Sequence, residues 1–226
     1  MYKTHVLDNG LTIIGEEIPY VKSISLGLWI NAGSRIEDEK ISGISHFIEH
    51  MLFKGTKNRT SKDIASEIDN LGGQINAFTS KECTCYYVKL LDSHIDIGID
   101  ILSDMILNPL FDKTDIDKER LVILEELKMY DDSPEDLAYD LLIENIYAGD
   151  GLGMNIIGTT KSLDDINQEE ILNYFSKYYV PNNSVISISG NFKFEEMIEK
   201  VEGKLKDWQR REVEIKLEKA EFKNCF

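Results

Sequence analysis

Cysteine is scarce, with three in 226 residues: Cys83, Cys85 and Cys225. That number excludes a disulfide framework, and the thiols are read as reduced. Cys83 and Cys85 flank Thr84, so on a strand they share one face; their spacing suits packing and does not match a zinc knuckle. Proline is scarce too, at four residues, which leaves no rigid spacer to divide the chain. Basic side chains are outnumbered, 25 Lys and Arg against 41 Asp and Glu, for a net charge of −16. No basic cluster offers the surface that a nucleic acid or an anionic membrane requires. No apolar run approaches the roughly 20 residues that span a bilayer, and residues 1–8 lack the apolar stretch of a signal peptide. The chain is therefore expected to be soluble and cytoplasmic, with neither nucleic acid nor membrane as partner. The 42% hydrophobic content suffices for a substantial core and excludes wholesale disorder.

Turn chemistry and periodicity divide the chain into blocks. Asp8-Asn9-Gly10 reads as a hairpin turn, and Ile24, Leu26, Leu28 and Ile30 alternate as a strand with one buried face. Helical spacing runs over residues 42–54, then from Ser61, read as an N-cap, to Leu71. Paired strands follow at 74–79 and 83–91, then helices at 93–107, 114–130 and 134–147. A glycine-rich loop covers 149–158, Asn167 caps a helix, residues 184–189 form a strand, and a charged helix runs from Phe194 to about Arg211. Elements in blocks predict an α+β fold, one largely antiparallel sheet with helices packed on it.

The chemistry concentrates in Ser45-His46-Phe47-Ile48-Glu49-His50-Met51-Leu52-Phe53-Lys54. At 100° per residue, His50 lies about 40° from His46 and Glu49 about 60° to its other side, so the three polar groups share one face of a mostly apolar helix. Buried imidazoles and a carboxylate need partners, and a divalent cation satisfies them. Neutral imidazoles at i and i+4 converge on zinc while the glutamate stays free to act on water, in the H-x-x-E-H order that inverts the commoner zinc-protease helix. A catalytic zinc takes a third protein ligand. Glu119, Val122, Ile123 and Glu126 form one stripe of a second helix, whereas Glu125 points to solvent. Periodicity leaves open that this helix is turned so that Glu119 and Glu126 face water. Asn76-Ala77 sets a small residue beside a polar one in a strand, which lets another backbone approach; an internal strand with Asn76 in a turn is the alternative.

These residues carry a resemblance. His46 through Thr56, Leu71-Gly72-Gly73-Gln74-Ile75-Asn76-Ala77-Phe78-Thr79, and Glu119-Arg120 with Leu124-Glu125-Glu126 resemble the pitrilysin family of zinc peptidases, which includes insulin-degrading enzyme and the mitochondrial processing peptidase. The likeness covers essentially the whole chain and implies the processing-peptidase-like metallohydrolase fold. It further implies that His46, His50 and Glu126 ligate Zn2+, that Glu49 acts as the base, and that Glu119 orients a ligand. An extended peptide would add along the strand with Asn76 and Ala77 nearest the scissile bond.

Members of that family carry two homologous halves closing around the peptide, and residues 1–226 match one. The sequence is thus read as a single zinc-binding catalytic half without its carboxy-terminal counterpart, residues 221–226 beginning an interdomain connection. It is expected to bind zinc, to cleave poorly alone and to seek a second half or subunit. Two rivals stand beside this: a non-catalytic scaffold or peptide-binding subunit of the same fold, and a zinc hydrolase acting on a small molecule.

Overall fold

The computed structural model describes residues 1–215, 217 and 219–221. The expectations for residues 222–226, Cys225 included, lie outside the described residues. Among the described residues there are six strands: β1 (Lys3–Val6), β2 (Thr12–Glu17), β3 (Ser23–Ile30), β4 (Gln74–Thr79), β5 (Thr84–Leu91) and β6 (Ser184–Gly190). The helices are α1 (Ile44–Leu52), α2 (Ser61–Asp69), α3 (Ile95–Leu107), α4 (Lys113–Asp131), α5 (Pro134–Ile146), α6 (Thr160–Asp165), α7 (Gln168–Tyr178) and α8 (Phe194–Leu205). The strands form one sheet in the order β1-β2-β6-β3-β5-β4. All neighbours are antiparallel except β2 and β6, so the α+β expectation holds.

The sheet takes its two faces from the period-2 pattern of β3. Ile24, Leu26, Leu28 and Ile30 are buried under the helices, where Leu26 lies between Val88 and Ile188 and Leu28 between Tyr86 and Ile186. Fully burying each such side chain stabilises the fold by about 1.5–3 kcal/mol. Residues of the opposite parity form the other face, where the Trp29 indole N–H donates to Ser187 at 2.8 Å and its ring meets Phe78 edge-on at 5.6 Å. Cys85 is buried on that face, across from Trp29 and Phe78, in the packing role expected for it. The hairpin turn also behaves as read. Gly10 takes a φ of 91°, and the Asn9 amide donates to Leu205 O at 2.7 Å, tying the hairpin to the end of α8.

Several boundaries differ from the sequence reading. Thr60, not Ser61, is the N-cap of α2, closing a capping box with Asp63. The helix beginning at Phe194 stops at Leu205, and beyond it Trp208, Val213 and Ile215 pack against the core outside any helix. The three residues before Ile95 form a 3-10 turn and not the start of α3. The glycine-rich loop contains a 3-10 turn at Gly151–Gly153 and is followed by α6, too short at six residues for periodicity to reveal.

Candidate metal centre

Helix α1 packs against α4, α7, β4 and β5, and Ile44, Phe47, Ile48, Met51 and Leu52 are buried around it. That packing turns the polar face of α1 toward α4. Helix α4 starts on an Asp112 cap, whose carboxylate accepts from Thr114 N–H at 2.8 Å. Its buried stripe is Ile116, Glu119, Ile123 and Leu127, a spacing of three and four residues. Val122, placed in that stripe from the sequence, is instead 51% exposed, because the helix is rotated toward the 116–127 line. Glu125 faces solvent as expected and pairs with Lys128 at 2.6 Å.

His46, His50 and Glu126 meet where the helices cross, with one ligand atom from each lying within 4.8 Å of the others. The two imidazole Nε2 atoms are 3.2 Å apart. The carboxylate oxygens of Glu126 stand 3.8 Å from His46 Nε2 and 3.5 Å from His50 Nε2. Zinc bonds of about 2.0–2.1 Å at tetrahedral angles place two donors about 3.3–3.4 Å apart, so the donor set fits that ion. Its protonation chemistry fits as well. Burial first, and the neighbouring His50 second, push the His46 pKa down to about 3, which keeps its imidazole neutral and its lone pair available.

Glu119 is 5% exposed and holds two cationic or polar partners. His50 Nδ1 lies 2.9 Å from Glu119 Oε1, and the Lys54 ammonium pairs with Oε2. With Nδ1–H donating to that carboxylate, His50 presents an unprotonated Nε2 toward Glu126. Burial alone would raise the Glu119 pKa, and the His50 and Lys54 hydrogen bonds overcome it, so the carboxyl sits below its ordinary range.

Glu49 is partly buried on the same helix, and Thr79 donates to its Oε2 at 2.5 Å. Its pKa is raised, chiefly by burial, with the nearby Glu126 adding to the shift while Thr79 and His50 oppose it. Thr79 belongs to β4, the outermost strand of the sheet, so the alternative of an internal strand does not apply. Ala77 lies on the helix-side face with Thr79, and Asn76 on the opposite face. The Ala77 N–H donates to the side-chain oxygen of Asn76 at 2.8 Å, so this edge amide is covered by the neighbouring side chain.

Thr79, Lys54 and Glu37 had no assigned role in the sequence reading. Thr79 and Lys54 sit inside the quoted segments, but their contacts are tertiary. Glu37 lies outside them, and nothing in its local pattern signals that it is 7% exposed.

The sequence model described as Insulinase (Peptidase family M16) matches residues 12–160, and one described as Peptidase M16 inactive domain matches residues 165–224. An uncharacterized zinc protease of Bacillus subtilis, YmxG, is 43% identical over 222 residues, covering 98% of this chain and 54% of that protein. A probable mitochondrial-processing peptidase subunit beta of Arabidopsis thaliana is 37% identical over 195 residues, covering 86% and 37%. Among solved structures, a protease from Helicobacter pylori superposes with a TM-score of 0.90 at 23% identity, over 99% of this chain and 54% of that one. The chain spans about half the length of the curated relatives it matches. Every residue of the α1–α4 constellation falls inside the first matched segment, which covers most of the chain, and so the chain belongs to the insulinase family of peptidases, family M16.

Proposed function

We propose that this chain is the zinc-binding half of a metalloendopeptidase that hydrolyses peptides or unfolded protein segments, with His46, His50 and Glu126 as ligands and Glu49 as the base. The observation that carries it is the convergence of two Nε2 atoms and a carboxylate from separate helices within 4.8 Å, at separations of 3.2–3.8 Å that lie close to those around a tetrahedral ion. The metal expected from the helix pattern is also the one in the names of the bacterial relatives.

Zinc held there supplies Lewis acidity toward a water molecule and toward the scissile carbonyl. Glu49 takes the proton of that water at the carboxylate oxygen not engaged by Thr79, and passes it to the leaving amine. Burial makes Glu49 a stronger base than an exposed glutamate, while the Thr79 hydroxyl fixes its rotamer. Glu119 keeps the His50 proton on Nδ1 and the ring aimed inward. An extended peptide adds to the free side of β4, where the Ala77 amide exchanges its bond to Asn76 for one to the substrate backbone. Recognition through main chain implies broad sequence tolerance.

A second homologous half or subunit is part of the proposal. The relatives are about twice as long, and α4 and α5 expose Leu121, Val122, Met129, Leu137, Tyr139, Leu141 and Leu142, apolar side chains that such a partner can cover. No helix among the described residues is long and apolar enough to cross a membrane, and we assign the cytoplasm as the compartment. Against the scaffold alternative we weigh the presence of His46, Glu49, His50 and Glu126 together, three of them with ligand atoms within 4.8 Å of one another.

The test is a comparison of three variants. E49Q retains one zinc per chain and loses hydrolysis of unstructured oligopeptides in the presence of the second half, whereas H46A and E126A bind zinc more weakly. Equal zinc loss from all three contradicts the assignment, and zinc-loaded protein inert toward every peptide but active on small esters or amides points to the small-molecule hydrolase.

A further inference from the structure

Helix α1 carries both imidazoles, yet it starts without a capping side chain. Its N-cap is Gly43, with φ at 91°, and a Cβ there would lie 2.2 Å from Ile157 O. No Ser, Thr, Asp or Asn fits that position, so the unpaired N–H groups of the first turn need an acceptor from elsewhere. Glu37 supplies it from the loop after a 3-10 turn at Ser34–Ile36. Gly43 N–H donates to its Oε2 at 2.7 Å, and Ser45 N–H to its Oε1 at 2.9 Å. A carboxylate suits the task because its two oxygens satisfy two donors at once, at the positive end of the helix dipole. The same turn is tied down twice more. Ser45 Oγ is 2.8 Å from the Tyr174 hydroxyl of α7, and the Ser162 hydroxyl of α6 donates to Ser42 O at 2.7 Å.

The two imidazoles depend on this turn unequally. His50 is oriented at its ring by Glu119. His46 Nδ1 is buried with no hydrogen-bond partner among the described residues. No polar contact at Nδ1 fixes the His46 ring, so its aim follows from packing and from where the backbone of the first turn sets it. His46 is the third residue of the helix and directly follows Ser45, which Glu37 holds.

We propose that Glu37 is a positioning residue of the metal centre: by accepting from Gly43 and Ser45 it holds the first turn of α1, and through it the His46 imidazole, where Nε2 faces His50 and Glu126. The proposal rests on the zinc reading above and adds to it a residue that touches neither metal nor substrate. Replacing Glu37 with Gln sets an amide donor against one of the two N–H groups and releases half of the clamp.

The experiment is zinc affinity by chelator competition, together with the visible spectrum of the cobalt-substituted chain, at a temperature where every variant is folded. E37Q is expected to bind zinc about tenfold more weakly, the lower end of what outer partners of metal ligands contribute, with a shifted cobalt spectrum. M197A, which opens the core under α8 away from the site, is the control for destabilisation alone; it lowers Tm and keeps the wild-type affinity and spectrum. E37D, expected to show a smaller loss, replaces E37Q if the latter fails to fold. Wild-type affinity and spectrum in the glutamine variant, or in E37D where that takes its place, overturn the proposal, as does equal weakening in M197A. A wild-type chain that takes up no zinc brings down the zinc reading and this one together, whereas zinc uptake indifferent to Glu37 brings down this one alone.

Discussion

Replacing Glu119 with alanine tests how the site is oriented. The side chain accepts from His50 Nδ1 at 2.9 Å and pairs with Lys54, and it is 5% exposed, so water replaces it poorly. Losing a hydrogen bond to a buried charged group costs about 1.5–3 kcal/mol. In metal affinity, outer partners of histidine ligands contribute about 10–100-fold. E119A is therefore expected to bind zinc one to two orders of magnitude more weakly, and E119Q, whose amide oxygen still accepts from Nδ1–H, to lose much less. The pH dependence carries a definite sign. Because the folded pKa of Glu119 is lowered from 4.5, its stabilisation is present above that value and is lost as pH falls through the folded one. Thermal melts from pH 3 to 7 should show wild type and E119A converging at the acid end and parting above it. Chelator competition reads the affinity. Wild-type affinity in E119A, with parallel melting curves at every pH, refutes the reasoning.

Other perturbations have equally definite outcomes. T79V removes the hydroxyl that opposes the burial-driven rise in the Glu49 pKa, so in the two-half enzyme the acid limb of kcat/KM moves to higher pH; an unmoved limb contradicts Glu49 as base. Burial raises the Glu37 pKa from 4.5 to about 7. The folded state therefore holds that proton more tightly, and stability present below 4.5 declines as pH rises through 7, by about 3 kcal/mol; denaturant melts of E37Q should lack that decline. L28A, in the core between sheet and helices, costs about 2–5 kcal/mol. L142S, on the exposed face of α5, leaves stability nearly unchanged but weakens association with the second half in sedimentation or titration calorimetry.

What the sequence made legible follows from how local each signal is. The alternation in β3 names its buried face because burial there follows strand period alone, and Ile24, Leu26, Leu28 and Ile30 are all in the core. The shared face of His46, Glu49 and His50 is equally local, a property of one helix. Glu126 was harder, since the stripe that suggested it also contained Val122, which is exposed; which side of α4 turns inward is settled by packing against α1 and α6. Thr79 and Lys54 reach the site from 30 and 65 residues away from their partners Glu49 and Glu119, and Glu37 from a loop six and eight residues upstream of Gly43 and Ser45; no periodicity encodes such contacts. Helix α6 escaped because six residues are too few to show a period.

In the proposed metal centre two imidazoles and one carboxylate of this chain share a single cation. X-ray absorption at the zinc edge of the metal-loaded chain tests it most directly. Nitrogen and oxygen neighbours are expected at about 2.0–2.1 Å, with scattering from two imidazole rings that drops to one in zinc-saturated H46A. A sulfur shell, or a spectrum without imidazole that is indifferent to His46, contradicts it.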